Sequence, residues 1–200
     1  MDNITEKLKT IIVAHPDDEI IFGFGVIKQA KRIICCVNDL NSDLPKSASW
    51  HRSWRDRQFA LEEVGRLLGV EIINLGYNSD FSKLPPEEKI KLSDKITELI
   101  KDEEIIFTHN IWGEYGHPDH ILVHDIIKRS GKKILTTDIM VDSDFTGFRT
   151  YKIPEIENYQ IVTNDLELYN KCKSIYVNCK CWTWGNEIIK SAKIYIEKNE

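Results

Sequence analysis

Two clusters of histidine and acidic residues are the part of this sequence best suited to chemistry. The first is the AHPDDE segment, Ala14–Glu19, in which one imidazole and three carboxylates occupy five consecutive positions together with a proline. Adjacent acids repel one another unless a cation or hydrogen bonds compensate, and a divalent metal ion turns such a cluster into a binding site. In this interpretation His15 and Asp18 bind one ion, and Asp17 stays available for acid–base work.

The second cluster lies in Thr108–His124, which contains four of the six histidines of the chain: His109, His117, His120 and His124. Catalytic zinc usually takes three histidine or carboxylate ligands and leaves one position for water. His15, Asp18 and one histidine of this segment satisfy that count. Spacing does not choose the histidine, because residues three or four positions apart share one face of a helix.

A structural alternative exists for the first cluster alone. Acidic side chains favour the first turn of a helix, so Asp17, Asp18 and Glu19 would cap and charge that turn, with His15 on the surface. A second histidine cluster after another strand favours the metal site instead.

The elements that must position these clusters alternate regularly between strand and helix patterns. Short β-branched runs predict strands at 9–14, 33–37, 71–75, 105–107 and 133–137, and apolar positions at helical spacing predict helices at 18–27, 50–68, 85–100 and 119–129. Such alternation predicts an α/β fold, a mostly parallel sheet covered by helices on both faces, with its functional crevice beyond the carboxyl ends of the strands. Both clusters fall at such ends.

The C-terminal part of the sequence has a looser pattern. It predicts a hairpin within 145–163 and helices near 164–175 and 185–198, and the polar segment 38–49 resembles a surface or lid loop. We expect one domain over 1–200, with the motif-bearing core at about 9–137 and residues 140–200 packing on it or extending it.

Composition limits the class of protein and of partner. The net charge is −5 with dispersed basic residues, which argues against a nucleic-acid partner and favours a small molecule. Neither a signal peptide nor an apolar run of membrane-spanning length is seen, so we expect a soluble cytoplasmic protein, and a homo-oligomer is compatible with the sequence. The five cysteines predict reduced thiols, with Cys179 and Cys181 packing rather than binding metal.

AHPDDE followed later by HPDH resembles the PIG-L/LmbE family of zinc-dependent N-deacetylases, and the resemblance covers about residues 9–137. Members of that family have a Rossmann-like fold, a three-layer sandwich, and act largely on substrates that contain N-acetylglucosamine. The resemblance implies that His15, Asp18 and His120 are the zinc ligands. Iron could use the same ligands.

Three catalytic roles follow from the same resemblance. Asp17 matches the general base, and His117 matches the histidine that stabilises the tetrahedral oxyanion. Asp119 resembles the partner of that histidine, and we expect it to hold the imidazole ring.

Four further residues are candidates for substrate contacts. Arg57 matches an arginine that the family carries three residues before a glutamate, although position 60 is Ala in this chain. Asp80 resembles the family's acid after the third strand, which can face the sugar. Trp112 and Tyr115 precede the HPDH segment, and their aromatic faces suit a sugar ring, although plain loop packing explains them equally well.

These observations predict zinc-dependent hydrolysis of an N-acyl amide, most simply N-acetyl, on an amino sugar or a sugar conjugate, with release of acetate and a free amine. One alternative is hydrolysis of another small amide, as in thiol-conjugate amidases. Another is a metal- or carbohydrate-binding protein without catalysis. A nucleotide-binding module is disfavoured, because Gly23 and Gly25 lie inside the predicted helix and the turn itself carries acids that repel phosphate.

Overall fold

A single seven-stranded sheet organises the computed structural model, which describes residues 4–38, 54–140, 158–185 and 189–197. The strands are β1 (Thr10–Val13), β2 (Arg32–Val37), β3 (Glu71–Tyr77), β4 (Ile105–Phe107), β5 (Lys133–Met140), β6 (Gln160–Thr163) and β7 (Ser191–Ile196). Their spatial order is β3-β2-β1-β4-β5-β7-β6. Strands β1 to β5 pair in parallel, whereas β7 runs antiparallel to both β5 and β6.

Helices cover both faces of this sheet. They are α1 (Asp18–Ile21), α2 (Trp54–Leu68), α3 (Pro86–Leu99), α4 (Gly113–Gly116), α5 (Pro118–Arg129) and α6 (Leu166–Asn178). Side chains of α1, α2 and α6 form one core with Ile11 and Val13 of β1, and side chains of α3 and α5 form a second core with Ile12. Strand side chains alternate between faces, so a central strand that is apolar throughout supplies both cores. The three-layer, mostly parallel α/β prediction is confirmed.

The strand order places the two chemical clusters beside each other. The chain builds β1, β2 and β3 outward in one direction and then returns to add β4 on the other side of β1. Loops that follow β1 and β4 therefore diverge and leave a crevice at the carboxyl ends of these strands, the usual ligand position in open α/β sheets. Residues 14–19 follow β1 and residues 108–120 follow β4.

The helix predicted from Asp18 to Ile27 is shorter than expected. Helix α1 ends at Ile21, and a 3-10 helix runs from Phe24 to Gln29. Gly23 and Gly25 disfavour a continuous α-helix. A Cβ at position 25 would lie 3.0 Å from the side chain of Ile194 in β7. Glycine therefore lets this 3-10 helix pack closely against the sheet.

The C-terminal predictions had mixed outcomes. The helix predicted at 164–175 is confirmed as α6, but the helix predicted at 185–198 is wrong, because Ser191–Ile196 forms strand β7 between β5 and β6. Ala192 and Ile194 are buried at alternate positions, a strand period that a helical interpretation overlooks. The predicted hairpin and the 38–49 loop lie largely outside the described residues.

Two smaller expectations concern cysteines and membrane spans. All five cysteines are free thiols, and four of them are buried. Cys181 donates through Sγ to the Tyr176 carbonyl. Among the described helices, none combines the length and apolar character needed to cross a membrane.

Close packing of α2 on β3 generates a stability prediction. A Cβ on Gly65 would overlap Cγ1 of Ile72 and lie 2.8 Å from its Cδ1. Overpacking costs about 1–3 kcal/mol, and alanine regains about 1 kcal/mol over glycine within a helix. We therefore expect Gly65→Ala to lower the free energy of unfolding by about 1 kcal/mol in urea titrations. In an Ile72→Ala background the same change should be neutral or stabilising, and equal losses in both backgrounds would contradict this packing argument.

Candidate metal centre and active site

Three ligand atoms converge at the carboxyl ends of β1 and β4. His15 Nδ1 lies 3.2 Å from His120 Nε2 and 3.3 Å from Asp18 Oδ2, and His120 Nε2 lies 3.4 Å from Asp18 Oδ2. Ligand atoms placed tetrahedrally at 2.0–2.1 Å from zinc are about 3.3 Å apart. The triangle therefore has the dimensions of one face of a tetrahedral zinc site, and His15 and Asp18 of the triangle line the adjacent cavity.

Hydrogen bonds on the outer side of each imidazole orient these atoms. His15 Nε2 lies 3.1 Å from Asp119 Oδ2, and His120 Nδ1 lies 2.7 Å from Glu114 Oε2. Since a carboxylate only accepts, each outer nitrogen carries a proton, and the inner nitrogen of each ring in its neutral form has the lone pair that a metal would take. Metal-binding histidines typically have such carboxylate partners. The donor set fits a divalent cation.

Buried carboxylates make this position strongly negative. Burial alone would lower the pKa of His120, but Asp18 and Glu114 outweigh it and raise that pKa to about 10. Burial alone would raise the pKa of Asp18, but the neighbouring His120 and His15 hold it well below its usual value. The site therefore favours a positive charge among these side chains, whether a proton or a metal ion supplies it.

The other histidines of the second cluster have different partners. His109 Nε2 accepts from the Ala14 N–H at 2.9 Å, and its Nδ1 lies 3.1 Å from Glu114. The His109 ring stacks on the His120 ring with centroids 3.8 Å apart, so His109 packs against His120 while the lone pair of its own Nε2 accepts the Ala14 N–H. His124 Nε2 lies 2.6 Å from Glu197 Oε2. His124 therefore lies outside the triangle and pairs with a different carboxylate.

Asp17 lies beside the triangle in an unusual backbone conformation. Its φ is 96°, in the left-handed region, and its side chain is buried. Such a conformation costs a non-glycine residue about 1–3 kcal/mol and is concentrated at functional sites. Arg57 donates to Oδ1, and Thr183 donates to Oδ2 from both its N–H and its hydroxyl. Burial nevertheless raises the pKa of this carboxyl above its usual value.

His117 borders the same cavity as a neutral donor. Burial, followed by the charges of His120 and His15, lowers its pKa to about 4. Its Nδ1 accepts from the Asp119 N–H at 3.2 Å, so the proton of the neutral ring is on Nε2. The ring lies edge-on to His15, with centroids 4.7 Å apart.

The predicted partnership between the Asp119 side chain and His117 needs correction. Asp119 meets His117 through its backbone N–H, and its carboxylate contacts His15 instead. The same carboxylate accepts from the N–H groups of Asp80 and Ser82 at 3.0 and 2.7 Å. The HPDH turn begins α5 with His117 as its cap, which directs the Asp119 side chain back toward β1.

A cavity of about 280 Å³ opens above the triangle and reaches Asp17 and His117. One wall is aromatic: the Phe22 and Trp184 rings meet edge to face at 5.7 Å, and Tyr115 lies 6.3 Å from Trp184. Ser79 and Asp80 form part of the opposite, polar rim. Aromatic faces beside polar groups suit a ligand with both apolar and hydroxyl surfaces.

Two predicted substrate contacts have other positions in the structure. Arg57 lines the cavity, but its guanidinium is buried and donates to the Pro16 carbonyl and to Asp17. Trp112 is not among the described residues that line the cavity, and its N–H donates to Asn110. Asp80 and Tyr115 do line it, and Asp80 is exposed and pairs with Lys83 at 3.0 Å.

Sequence reasoning missed several residues of this site. Glu114 was not among the predicted site residues, yet its carboxylate contacts two buried histidines and has a pKa lowered to about 2, because those histidines outweigh burial. Thr183 and Trp184 follow α6, far from either motif, and no local pattern marks them. An acid within six residues of both histidines was the available signal for Glu114.

Fold and site together define the class of protein. The chain belongs to the PIG-L family, whose model, described as GlcNAc-PI de-N-acetylase, matches residues 10–130. This match confirms the resemblance seen in AHPDDE and HPDH.

Individual relatives are more distant. An uncharacterized protein of Acanthamoeba polyphaga mimivirus is 27% identical over 127 residues, which cover 60% of this chain and 56% of that protein, so the match spans just over half of its length. The structure is similar to N,N'-diacetylchitobiose deacetylase from Pyrococcus horikoshii, with a TM-score of 0.60, 20% identity, and coverage of 96% of this chain and 84% of that one. It is also similar to the zinc-inhibited form of teicoplanin deacetylase, with a TM-score of 0.66, 11% identity, and coverage of 96% and 100%. At such identities these structures show the shared fold.

The geometry predicts which histidine binds metal. We expect His120→Ala to lose most of its bound zinc, since one of three converging ligands is removed, whereas His124→Ala, one helical turn away, should keep it. Zinc content per chain, measured by atomic absorption after dialysis against a fixed free zinc concentration, checks this. Full occupancy in the His120 variant would remove that residue from the ligand set.

Proposed function

We propose that this protein hydrolyses the N-acetyl amide of an amino sugar or a sugar conjugate, with a divalent metal, most simply zinc, as cofactor. The observation that carries the proposal is the convergence of a three-ligand triangle, a buried carboxylate and a neutral imidazole donor on one small cavity. Membership of the PIG-L family supports the same reaction.

His15, Asp18 and His120 would hold the cation. A bound divalent metal supplies Lewis acidity, which polarises an amide carbonyl and lowers the pKa of water from 15.7 to about 7. Asp119 and Glu114 keep the outer imidazole nitrogens protonated, and they thereby keep the inner lone pairs available to the ion.

Asp17 is placed to act as general base. It lines the cavity directly beside the triangle, and its raised pKa increases the affinity of its carboxylate for a proton. In the proposed reaction one carboxylate oxygen accepts the proton of the attacking water. The same group then returns a proton to the leaving amine nitrogen as the carbon–nitrogen bond breaks, so the base is regenerated when acetate and amine leave.

His117 is placed to stabilise the oxygen that gains negative charge during attack. Because its Nδ1 accepts from the Asp119 N–H, the Nε2–H is the remaining donor of the neutral ring. A hydrogen bond from a fixed donor strengthens as the carbonyl oxygen becomes an oxyanion, which is the condition for catalysis rather than mere binding.

The cavity supports a small polar substrate with an apolar side. Its aromatic wall of Phe22, Tyr115 and Trp184 suits the face of a sugar ring or an acetyl methyl, and Ser79 and Asp80 can accept from or donate to hydroxyl groups. N-acetylglucosamine combines these features. A thiol-conjugate amide would use the same metal chemistry, and substrate profiling separates the two.

Acetate release tests the reaction. We expect zinc-loaded protein to release acetate from N-acetylglucosamine or its conjugates and to stop when a chelator removes the metal. Asp17→Asn should keep its zinc and lose about 100- to 10,000-fold in kcat, because the amide cannot accept the proton. The measurement is acetate by enzymatic coupling, with zinc content determined on the same samples.

Two outcomes of that experiment would contradict the proposal. Wild-type turnover by the Asp17→Asn variant would remove Asp17 from the role of base. Tight zinc or sugar binding without release of acetate from any N-acetyl sugar or thiol-conjugate amide in the panel would favour a binding protein that lacks catalysis.

His117→Ala isolates the role of the donor. Loss of one oxyanion donor typically reduces kcat by about 100- to 1,000-fold, and we expect KM to change little, since the bond gains strength only during reaction. Steady-state kinetics on the best substrate, with zinc content confirmed, measures both constants. A raised KM at unchanged kcat would make His117 a substrate-binding residue instead.

A further inference from the structure

The segment that follows α6 reaches back to the candidate active site. The Cys181 N–H donates to the Tyr176 carbonyl at 3.0 Å, and Trp182 Nε1 donates to the Gly185 carbonyl at 3.0 Å, so residues 181–185 form a compact turn at the helix end. Thr183 and Trp184 of this turn line the cavity. The family match ends at residue 130 and does not extend to them.

Thr183 makes two hydrogen bonds to a single oxygen of Asp17. Its backbone N–H lies 3.2 Å from Oδ2, and its hydroxyl donates to the same atom. Arg57 of α2 donates to the other oxygen, Oδ1. The plane of the carboxylate is therefore held from two sides by elements far from Asp17 in sequence.

The backbone of Asp17 is tied to the same helix end. Glu19 accepts the Asp17 N–H through Oε2 at 2.9 Å and the Tyr176 hydroxyl through Oε1 at 2.6 Å. Both the backbone and the side chain of Asp17 thus depend on residues 176–183. A residue other than glycine disfavours left-handed backbone angles. The conformation of Asp17, in the turn between β1 and α1, therefore needs such support.

We infer that Thr183 is a positioning residue that orients the Asp17 carboxylate for proton transfer, an inference that rests on the proposed function. Proton transfer requires a base oxygen at hydrogen-bond distance and in line with the proton, and small misplacements of a base are costly in rate. The threonine hydroxyl restricts rotation of the carboxylate.

Kinetics of two matched variants test the role. Thr183→Val keeps the shape and the backbone N–H and removes the hydroxyl, whereas Thr183→Ser keeps the hydroxyl. We expect Thr183→Val to lose about tenfold in kcat with KM and zinc content unchanged within about twofold, and Thr183→Ser to recover most of the loss. Equal kcat for the valine variant and the wild type, or failure of serine to recover activity, would overturn the inference.

A double-mutant cycle tests the contact without any turnover. In metal-free protein, the shift of the urea midpoint caused by Thr183→Val is measured in the wild type and in Asp17→Gly, where glycine tolerates the left-handed conformation. If Thr183 and Asp17 stabilise each other, the midpoint shift caused by Thr183→Val is at least about twofold smaller in the Asp17→Gly background than in the wild type. Equal shifts in both backgrounds would refute the inference. If the wild type releases no acetate but the midpoint shift is smaller in the Asp17→Gly background, the proposed reaction is refuted. The coupling between Asp17 and Thr183 is then still supported.

Discussion

The active site depends on one electrostatic constraint: two imidazole lone pairs and a carboxylate oxygen are held within 3.4 Å of one another in a buried place. Atoms of this kind repel unless a positive charge lies among them. Asp18 and Glu114 outweigh burial and raise the pKa of His120 to about 10, so a proton can supply that charge, and a divalent cation would replace it. Rigid β1 and β4 hold the turns that carry these atoms, and carboxylates of Glu114 and Asp119 prevent the rings from turning away.

Different parts of the fold supply different chemical requirements. The turn after β1 carries two of the proposed ligands and the proposed base, and the segment after β4 carries the third proposed ligand and the proposed oxyanion donor. Helix α2 and the turn after α6 hold the base from outside through Arg57 and Thr183. The proposed ligands lie within the residues that the family model matches, whereas Thr183, which holds the proposed base, lies beyond them.

Sequence patterns predicted the parts of the site that are local. Five parallel strands, the crevice and both motifs followed from periodicity and residue type, because each depends on neighbours within a few positions. The choice of His120 over His124 came from family resemblance and stays a prediction, and in the structure His124 pairs with Glu197 away from the triangle. The alternation in β7 was overlooked at the sequence level, whereas the Asp119–His15 contact and the hydrogen bonds from Thr183 to Asp17 depend on residues distant in sequence, which no local pattern encodes.

The Asp119 carboxylate has a consequence that extends to the rim of the cavity. It is shared between His15 and the backbone N–H groups of Asp80 and Ser82, which belong to the polar rim and the turn beside it. A ligand that moves this rim would withdraw two donors from Asp119 and leave its carboxylate more basic toward His15. In the proposed function, the shape of the substrate and the electron density on a metal-binding imidazole would therefore be coupled, and a rim redesigned for a larger sugar would also change how His15 holds a cation.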